Sequence, residues 1–496
     1  MLGVVLRSGA LTVPKLRRAR LLQVLLLVLA SLYLVTACHH ARKPLPEGLD
    51  VATPWRAAAD LVWLEDRTFL DAEGEQHSEA WIFDAAFELI GAAERLVVLD
   101  MFLVNEFAGD VADGHRPLSD QLVEALLARK QAREDLTAVL ITDPFNTLYG
   151  GRRSKQFEVL REAGVQVVMT DLRPLRDSNP TWSAFWRICC QWFGNDPEGA
   201  WLSDPVGAGK VTLRSYLELA NFKANHRKAL VVDQGDDWVG LVTSANPHDA
   251  SSLHSNQALL FRGQAAVDLL ATEWAVAQFS GVSEAFDLPE PAASVPAESV
   301  DSPALRIVTE SQIREAALDM IDAAKPGQRL DLAMFYLAHR QILRALIAAH
   351  ERGVTLRVLL DPNKGAFGRP GIGVPNRQVG MELTQAGVPV RWCNTDGEQC
   401  HSKYLLQWGD EGEAELLAGS ANFTRRNLDN FNLETNVHVR GSAATPALVA
   451  AVNNFETRWH NRNGEFHSVD YEVYADHSRW RYGLYRFMEA TGISTF

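Results

Sequence analysis

Asn225-His226-Arg227-Lys228-Ala229-Leu230-Val231-Val232-Asp233 decides the fold, because its pattern returns at Cys400-His401-Ser402-Lys403-Tyr404-Leu405-Leu406-Gln407. Each His-x-Lys runs into a short apolar stretch rich in strand-forming residues, so each is predicted to open a strand. Side chains alternate along a strand, which puts a His and a Lys two residues apart on one side, where imidazole and ammonium can meet one phosphate. Ser244-Ala245-Asn246 follows the first copy and Ser420-Ala421-Asn422 the second. Their hydroxyl and amide groups can donate to phosphate oxygens. A lone His-x-Lys is common by chance and reads as a surface or core histidine. Two copies, each with its Ser-Ala-Asn, point to a shared phosphoryl-transfer site.

Outward from these motifs the whole chain repeats. Glu94-Arg-Leu-Val-Val-Leu-Asp-Met-Phe102 parallels Gln328-Arg-Leu-Asp-Leu-Ala-Met-Phe335, and the stretch ending at Asp143-Pro144 parallels the one ending at Asp361-Pro362. Leu160-Arg-Glu-Ala-Gly-Val parallels Leu383-Thr-Gln-Ala-Gly-Val. Repetition at long spacing defines architecture before any motif is read. Each copy alternates short β-branched or Leu-rich runs with helix-period stretches such as 122–130 and 342–350, the pattern of an α/β unit. The expected organisation is two duplicated α/β domains, 61–282 and 304–496, joined by a connector at 283–303 rich in Pro, Ala, Glu and Ser.

The halves differ at 172–225, an insertion in the first that runs up to His226. It carries Trp182, Phe185, Trp186, Trp192, Phe193 and Trp201 among Arg173, Arg176 and Arg187. Tryptophan with arginine suits a membrane interface or acyl-chain contact, and it equally suits a small satellite core under a long loop. A lid over the site is compatible with both.

At the amino terminus, Lys15, Arg17, Arg18 and Arg20 precede an almost unbroken apolar run from Leu21 to Ala37, the arrangement of a signal sequence or membrane anchor. Val35-Thr36-Ala37-Cys38 resembles a bacterial lipobox, which implies lipidation at Cys38 and processing of residues 1–38. An uncleaved single-span anchor is the alternative, since the run is a little shorter than the ~20 residues that cross a bilayer. Either way the basic cluster puts the body outside the cytoplasm. Residues 39–60 read as a tether. The five cysteines have neither the density of a disulfide scaffold nor zinc-site spacing, so no metal is indicated. Cys393 and Cys400 can pair across a loop in an oxidising compartment or remain free core thiols. The net charge of −14 argues against a nucleic-acid partner.

The paired motifs resemble the His-Lys-Asp signatures of the phospholipase D superfamily, with a likeness over approximately residues 60–465 to its bacterial phospholipase D-like and cardiolipin synthase-like members. The resemblance implies two α/β domains packed pseudo-symmetrically around one cleft, with no cofactor or metal. One imidazole forms a covalent phosphohistidine, and the other protonates the leaving alcohol and then activates water or an acceptor alcohol. In that family a carboxylate after the second Ser-Ala-Asn often orients the histidine of the opposite motif. Here Glu434 stands at that place, and Asn256 at the matching place in the first half. The expected nucleophile is therefore His226, backed by Glu434, with His401 as acid/base and Asn256 as its partner candidate. Lys228, Lys403, Ser244, Asn246, Ser420 and Asn422 are expected on the phosphate. The signature aspartate is present as Asp233 but replaced by Trp408 in the second motif, with Asp410 nearby.

The expected substrate is a phospholipid in a membrane, acted on by a phosphatidyltransferase or a phospholipase D. A secreted endonuclease and a non-catalytic phospholipid-binding lipoprotein are the alternatives. One chain carries both half-sites, so a monomer suffices.

Overall fold

The computed structural model of the chain describes residues 13–58, 60–107, 114–207, 209–283, 303–366, 369–409, 412–494 and 496. Two large sheets dominate it. The first runs, edge to edge, Gln76–Ala80, Val62–Leu70, Asn256–Arg262, Asp237–Thr243, Lys228–Gln234, Leu96–Met101, Thr137–Thr142, Gln166–Met169. The second runs Arg56–Ala57, Ala304–Thr309, Thr435–Ser442, Glu413–Gly419, Lys403–Trp408, Arg329–Met334, Thr355–Leu360, Val390–Cys393, Ser468–Asp470. From Val62–Leu70 to Gln166–Met169, every strand of the first sheet has a counterpart in the same place in the second. In each sheet three successive strands are parallel, Leu96–Met101, Thr137–Thr142 and Gln166–Met169 in the first and Arg329–Met334, Thr355–Leu360 and Val390–Cys393 in the second, and the remaining pairs are antiparallel. The duplicated α/β organisation is the fold.

The layers follow from hydrophobic patterning. Leu96–Met101 is buried along its whole length, as an apolar run covered on both faces should be. The outer face of the first sheet is covered by Ile82–Ala92, Leu118–Ala132 and Lys155–Glu162, that of the second by Ser311–Ala323, Arg340–Glu351 and Asn376–Gln385. Between the sheets lies a core shared by both halves, with Val231, Leu259 and Leu269 from one and Leu305, Leu416 and Phe455 from the other. The helix that follows the last main strand of each half reaches across. Pro446–His460 packs on Val62–Leu70, and Gln264–Phe279 on Ala304–Thr309. Neither half is complete by itself, and the site sits where they meet.

The expected tether at 39–60 is not loose. Arg56–Ala57 adds a strand to the edge of the second sheet, Thr53 N donates to Ile307 O at 2.9 Å, and Arg56 forms a bidentate pair with Asp268 at 2.7 and 3.0 Å. The edge strand Ala304–Thr309 would otherwise present unpaired backbone groups, and the chain leaving the amino-terminal helix satisfies them. Of the expected connector 283–303, residues 284–302 lie outside the described residues, as does Asp410. Cys393 and Cys400 are joined as a disulfide. Helix Val13–Arg42 contains the expected apolar run, and its window Arg18–Arg42 is long and apolar enough to cross a membrane, with none of it buried in the protein.

Candidate active site

Lys228 and Lys403 are the first residues of equivalent central strands, and His226 and His401 stand just ahead of them. The histidines are held by exchange between the halves. His226 N donates to Leu433 O and His401 N to Ser255 O, both at 2.9 Å, while Leu433 N returns to Ala224 O and Ser255 N to Gln399 O. Each catalytic candidate thus belongs to one sheet and is braced by the other.

Each lysine curls back to the carbonyl of its own histidine, Lys228 Nζ to His226 O at 2.8 Å and Lys403 Nζ to His401 O at 2.7 Å. A phenylalanine floors each pair. Phe102 lies 4.8 Å from the His226 ring and 5.1 Å from Lys228 Nζ; Phe335 lies 5.0 Å from the His401 ring and 5.3 Å from Lys403 Nζ. The repeated Met-Phe of the sequence builds this floor.

Behind the imidazoles the symmetry breaks. His226 Nδ1 lies 2.8 Å from Glu434 Oε1, and His401 Nδ1 lies 3.1 Å from Asn256 Oδ1. A carboxylate accepts only, so His226 Nδ1 carries the proton and Nε2 keeps its lone pair. Asn256 Oδ1 also accepts from Ser244, and its Nδ2 donates to His254 O at 3.0 Å, which assigns the same tautomer to His401. Burial is the largest influence on His226 and pulls it down to about 4, with Lys228 adding to the fall and Glu434 opposing it. His401 is lowered well below the usual imidazole value by burial, then by Lys403, with no carboxylate in opposition. Burial likewise brings Lys228 to about 7 and Lys403 well below the ordinary lysine range. Burial alone would raise Glu434, but the charge and hydrogen bond of His226, with Lys228 and Ser420, bring it below the usual carboxylate value. Two imidazoles and two amines, desolvated and mutually repelling, form a buried cluster that an anion would recharge.

The remaining expected residues divide. Asn246 Oδ1 accepts from Leu103 N at 3.3 Å and Asn422 Oδ1 from Tyr336 N at 3.2 Å, so the Nδ2 of each remains as the donor for an anion. Ser244 and Ser420, expected on the phosphate, are committed elsewhere. Ser244 Oγ donates to Asn256 Oδ1 at 2.9 Å and Ser420 Oγ to Glu434 Oε2 at 2.5 Å, and each hydroxyl has one proton to give. They brace the partners of the histidines. Asp233 is also not at the site. It ends its strand roughly 16 Å from Lys228, at ~3.3 Å per residue, and accepts from Arg95 N at 2.8 Å, Leu96 N at 2.7 Å and Arg95 Nε at 3.0 Å. Its role is to tie the start of the neighbouring strand. In the second half Trp408 Nε1 makes the reciprocal tie to Asp331 Oδ2 at 2.7 Å, so the missing aspartate leaves the site untouched. Cys38 is exposed on the amino-terminal helix.

Four further residues contribute that the motifs do not single out. Asp143 Oδ2 accepts from Asn225 N at 2.7 Å and Asp361 Oδ2 from Cys400 N at 2.9 Å, clamping the residue before each histidine. Burial raises these carboxyls to about 7 and about 6. The Asp-Pro that recurs in both repeats was the signal for them. Gln257 staples the sheets together, donating to Lys403 O and Gly419 O at 3.1 Å and accepting from Lys403 N at 3.0 Å. His254, with its ring 5.9 Å from that of His401, is driven down to about 3 by burial and enters as a neutral wall.

Residues 317–459, which hold the second motif and Glu434, match the sequence family described as "Cardiolipin synthase, PLD-like domain". That match places residues 317–459 in the phospholipase D superfamily. A curated relative, the "Mitochondrial cardiolipin hydrolase" of Danio rerio, is 30% identical over 95 residues, which are 19% of this chain and 37% of the relative. The chain therefore spans little more than a third of the length of that relative. Among solved structures, the phosphatidylserine synthase of Haemophilus influenzae Rd KW20 is similar in fold, with a TM-score of 0.53 at 12% identity, over 89% of this chain and 96% of that one.

Proposed function

We propose that the chain is a membrane-attached phospholipid phosphodiesterase or phosphatidyltransferase working through a phosphohistidine on His226, with its body outside the cytoplasm. The observation that carries this reading is the unequal pair of histidine partners, a carboxylate 2.8 Å behind one imidazole and an amide 3.1 Å behind the other. His226 Nε2 attacks phosphorus as the bond to the leaving alcohol oxygen breaks, and the protonated Nε2 of His401 gives that oxygen its proton. Glu434 stabilises the positive charge that grows on His226, as a fixed anion behind a nucleophilic imidazole should. Lys228 and Lys403 meet the non-bridging oxygens. In the second step His401 takes a proton from water or an acceptor alcohol, whose oxygen attacks phosphorus as the P–N bond breaks.

The charge of the bound phosphodiester lets His401 take from solvent the proton that it then gives to the leaving alcohol. That negative charge raises the depressed basicities of the four groups around it, so binding takes up protons. Lipid as the substrate class is supported by the apolar amino-terminal helix and by relatives whose names are cardiolipin hydrolase and phosphatidylserine synthase. The test is to incubate purified protein with phosphatidylglycerol or phosphatidylethanolamine, with and without excess glycerol, and separately with DNA. Cardiolipin or a glycerol-exchange product marks transfer and phosphatidic acid marks hydrolysis. Cleaved DNA with untouched lipid would overturn the lipid reading in favour of a nuclease.

A further inference from the structure

The helix of the insertion 172–225 shows why the insertion is aromatic. Pro180–Cys189 buries Ser183, Ala184, Trp186 and Arg187 but exposes Thr181, Phe185 and Ile188, and Trp192 continues the same spacing beyond the helix. That is an apolar stripe at helical period turned outward, the reverse of what a satellite core requires. Trp192 is 74% exposed, Phe193 67%, Trp201 62% and Phe185 48%. Large side chains so exposed within one insertion mark a surface that meets something apolar.

The occupant is indicated by what lies alongside. The helix Pro180–Cys189 packs against the amino-terminal helix Val13–Arg42, with Tyr33 Oη donating to Thr181 O at 2.7 Å. The chain that follows Cys38 is fastened to the insertion by Asp177 N to His40 O at 3.0 Å, Lys43 Nζ to Arg173 O at 2.7 Å and Arg176 Nε to Lys43 O at 2.9 Å. Whether the amino-terminal helix stays as a span or the chain is cut and lipidated at Cys38, the point of membrane attachment is the same and is bolted to the aromatic stripe. Trp concentrates at the headgroup level of a bilayer, and helices that lie in that interface bury Trp, Phe and Leu on one face.

We infer that the insertion is a membrane-docking platform whose exposed stripe of Phe185, Ile188, Trp192, Phe193 and Trp201 lies in the interface of the bilayer that the amino-terminal segment enters. The inference rests on the membrane attachment proposed above and adds orientation to it. A tether alone lets a body swing. Here Asp177 also accepts from Arg187 at 2.8 Å and from Lys223 at 3.0 Å, so the platform is joined by a buried ion triad to the residue three positions before His226. The attachment point, platform and catalytic histidine form one continuous set of contacts, and the cleft is held at a set attitude to the lipid surface.

The test uses the full chain in phosphatidylglycerol and phosphatidylcholine vesicles, with and without bromine on the acyl chains, reading tryptophan fluorescence. The amino-terminal helix contains no tryptophan, so quenching reports on the body and not on the anchor. Brominated lipid should quench the wild type, and the double variant Trp192→Phe, Trp201→Phe should lose roughly half or more of that quenching if interfacial tryptophans are its source. Flotation of the same vesicles reports attachment separately. Protein that floats while bromine leaves its fluorescence unchanged, or a double variant quenched as strongly as wild type, overturns the platform and leaves the anchor standing. Protein that does not float overturns both.

Discussion

The two halves of the site are built from the same parts and differ in one atom pair that matters. His226 leans on Glu434 and His401 on Asn256; floors, lysines, Asp-Pro clamps and bracing serines are otherwise matched. A carboxylate favours an imidazole that must become cationic by bonding to phosphorus, while an amide orients an imidazole without holding its proton. In the proposed mechanism the difference gives attack to one histidine and proton transfer to the other.

The strongest way to break that assignment is to remove each histidine in turn. His226→Ala and His401→Ala are each expected to lower turnover by about 10⁴-fold or more, since residues acting as a unit fail together. Only His401→Ala should accumulate a phosphorylated protein on denaturing gels, because it keeps the nucleophile and lacks the base for the second step. An adduct in His226→Ala instead would exchange the roles. Next, Glu434→Gln should cost about 10³- to 10⁴-fold in kcat, approaching the roughly 10⁴-fold loss when the carboxylate behind the imidazole of a Ser-His-Asp triad becomes an amide, with KM little changed. A loss confined to KM would make Glu434 a binding residue.

Asn256→Asp would make the halves alike. A carboxylate at that distance raises the imidazole, so the limb of the pH–rate profile owed to His401 should move upward by roughly one unit or more. An unmoved limb would separate His401 from proton transfer. The pair also predicts unequal acid sensitivity. Both imidazoles are neutral in the fold but would return to 6.5 when unfolded, so below pH 6.5 the unfolded chain binds protons that the folded chain refuses, and stability falls with acid. His401→Asn should flatten that decline in Tm more than His226→Asn, whose depression Glu434 offsets. The smallest effect belongs to Asp233→Asn, which should lower stability by about 2 kcal/mol through its backbone bonds and leave kcat unchanged, measured by urea unfolding and initial rates. A collapse in kcat would return Asp233 to the site.

Much of this was legible in the sequence because duplication is a local signal. The two His-x-Lys copies, the order of the strands and the contrast of Glu434 with Asn256 all appear as aligned positions. What was misread depends on partners distant in the chain. Ser244 and Ser420 look like phosphate donors until the adjoining strand brings Asn256 and Glu434 against their hydroxyls. Asp233 sits in the right motif, but strand rise carries it to the far end of the sheet. Asp143 and Asp361 stand at matching places in the repeat, but an Asp-Pro pair alone does not tell which backbone its carboxylate will hold. Residues 39–60 read as a tether because their composition is that of a linker, and only the open edge at Ala304–Thr309 shows what they cover.

The crossed backbone bonds, His226 to Leu433 and His401 to Ser255, mean that each half supplies the support for the other's reagent. A site assembled from two identical subunits would obey its own symmetry axis, and any residue placed behind one histidine would be placed behind both. Joining the copies in one polypeptide releases that constraint. Covalent fusion let a carboxylate settle behind one imidazole alone, and a division of labour could then be inherited as a single gene product.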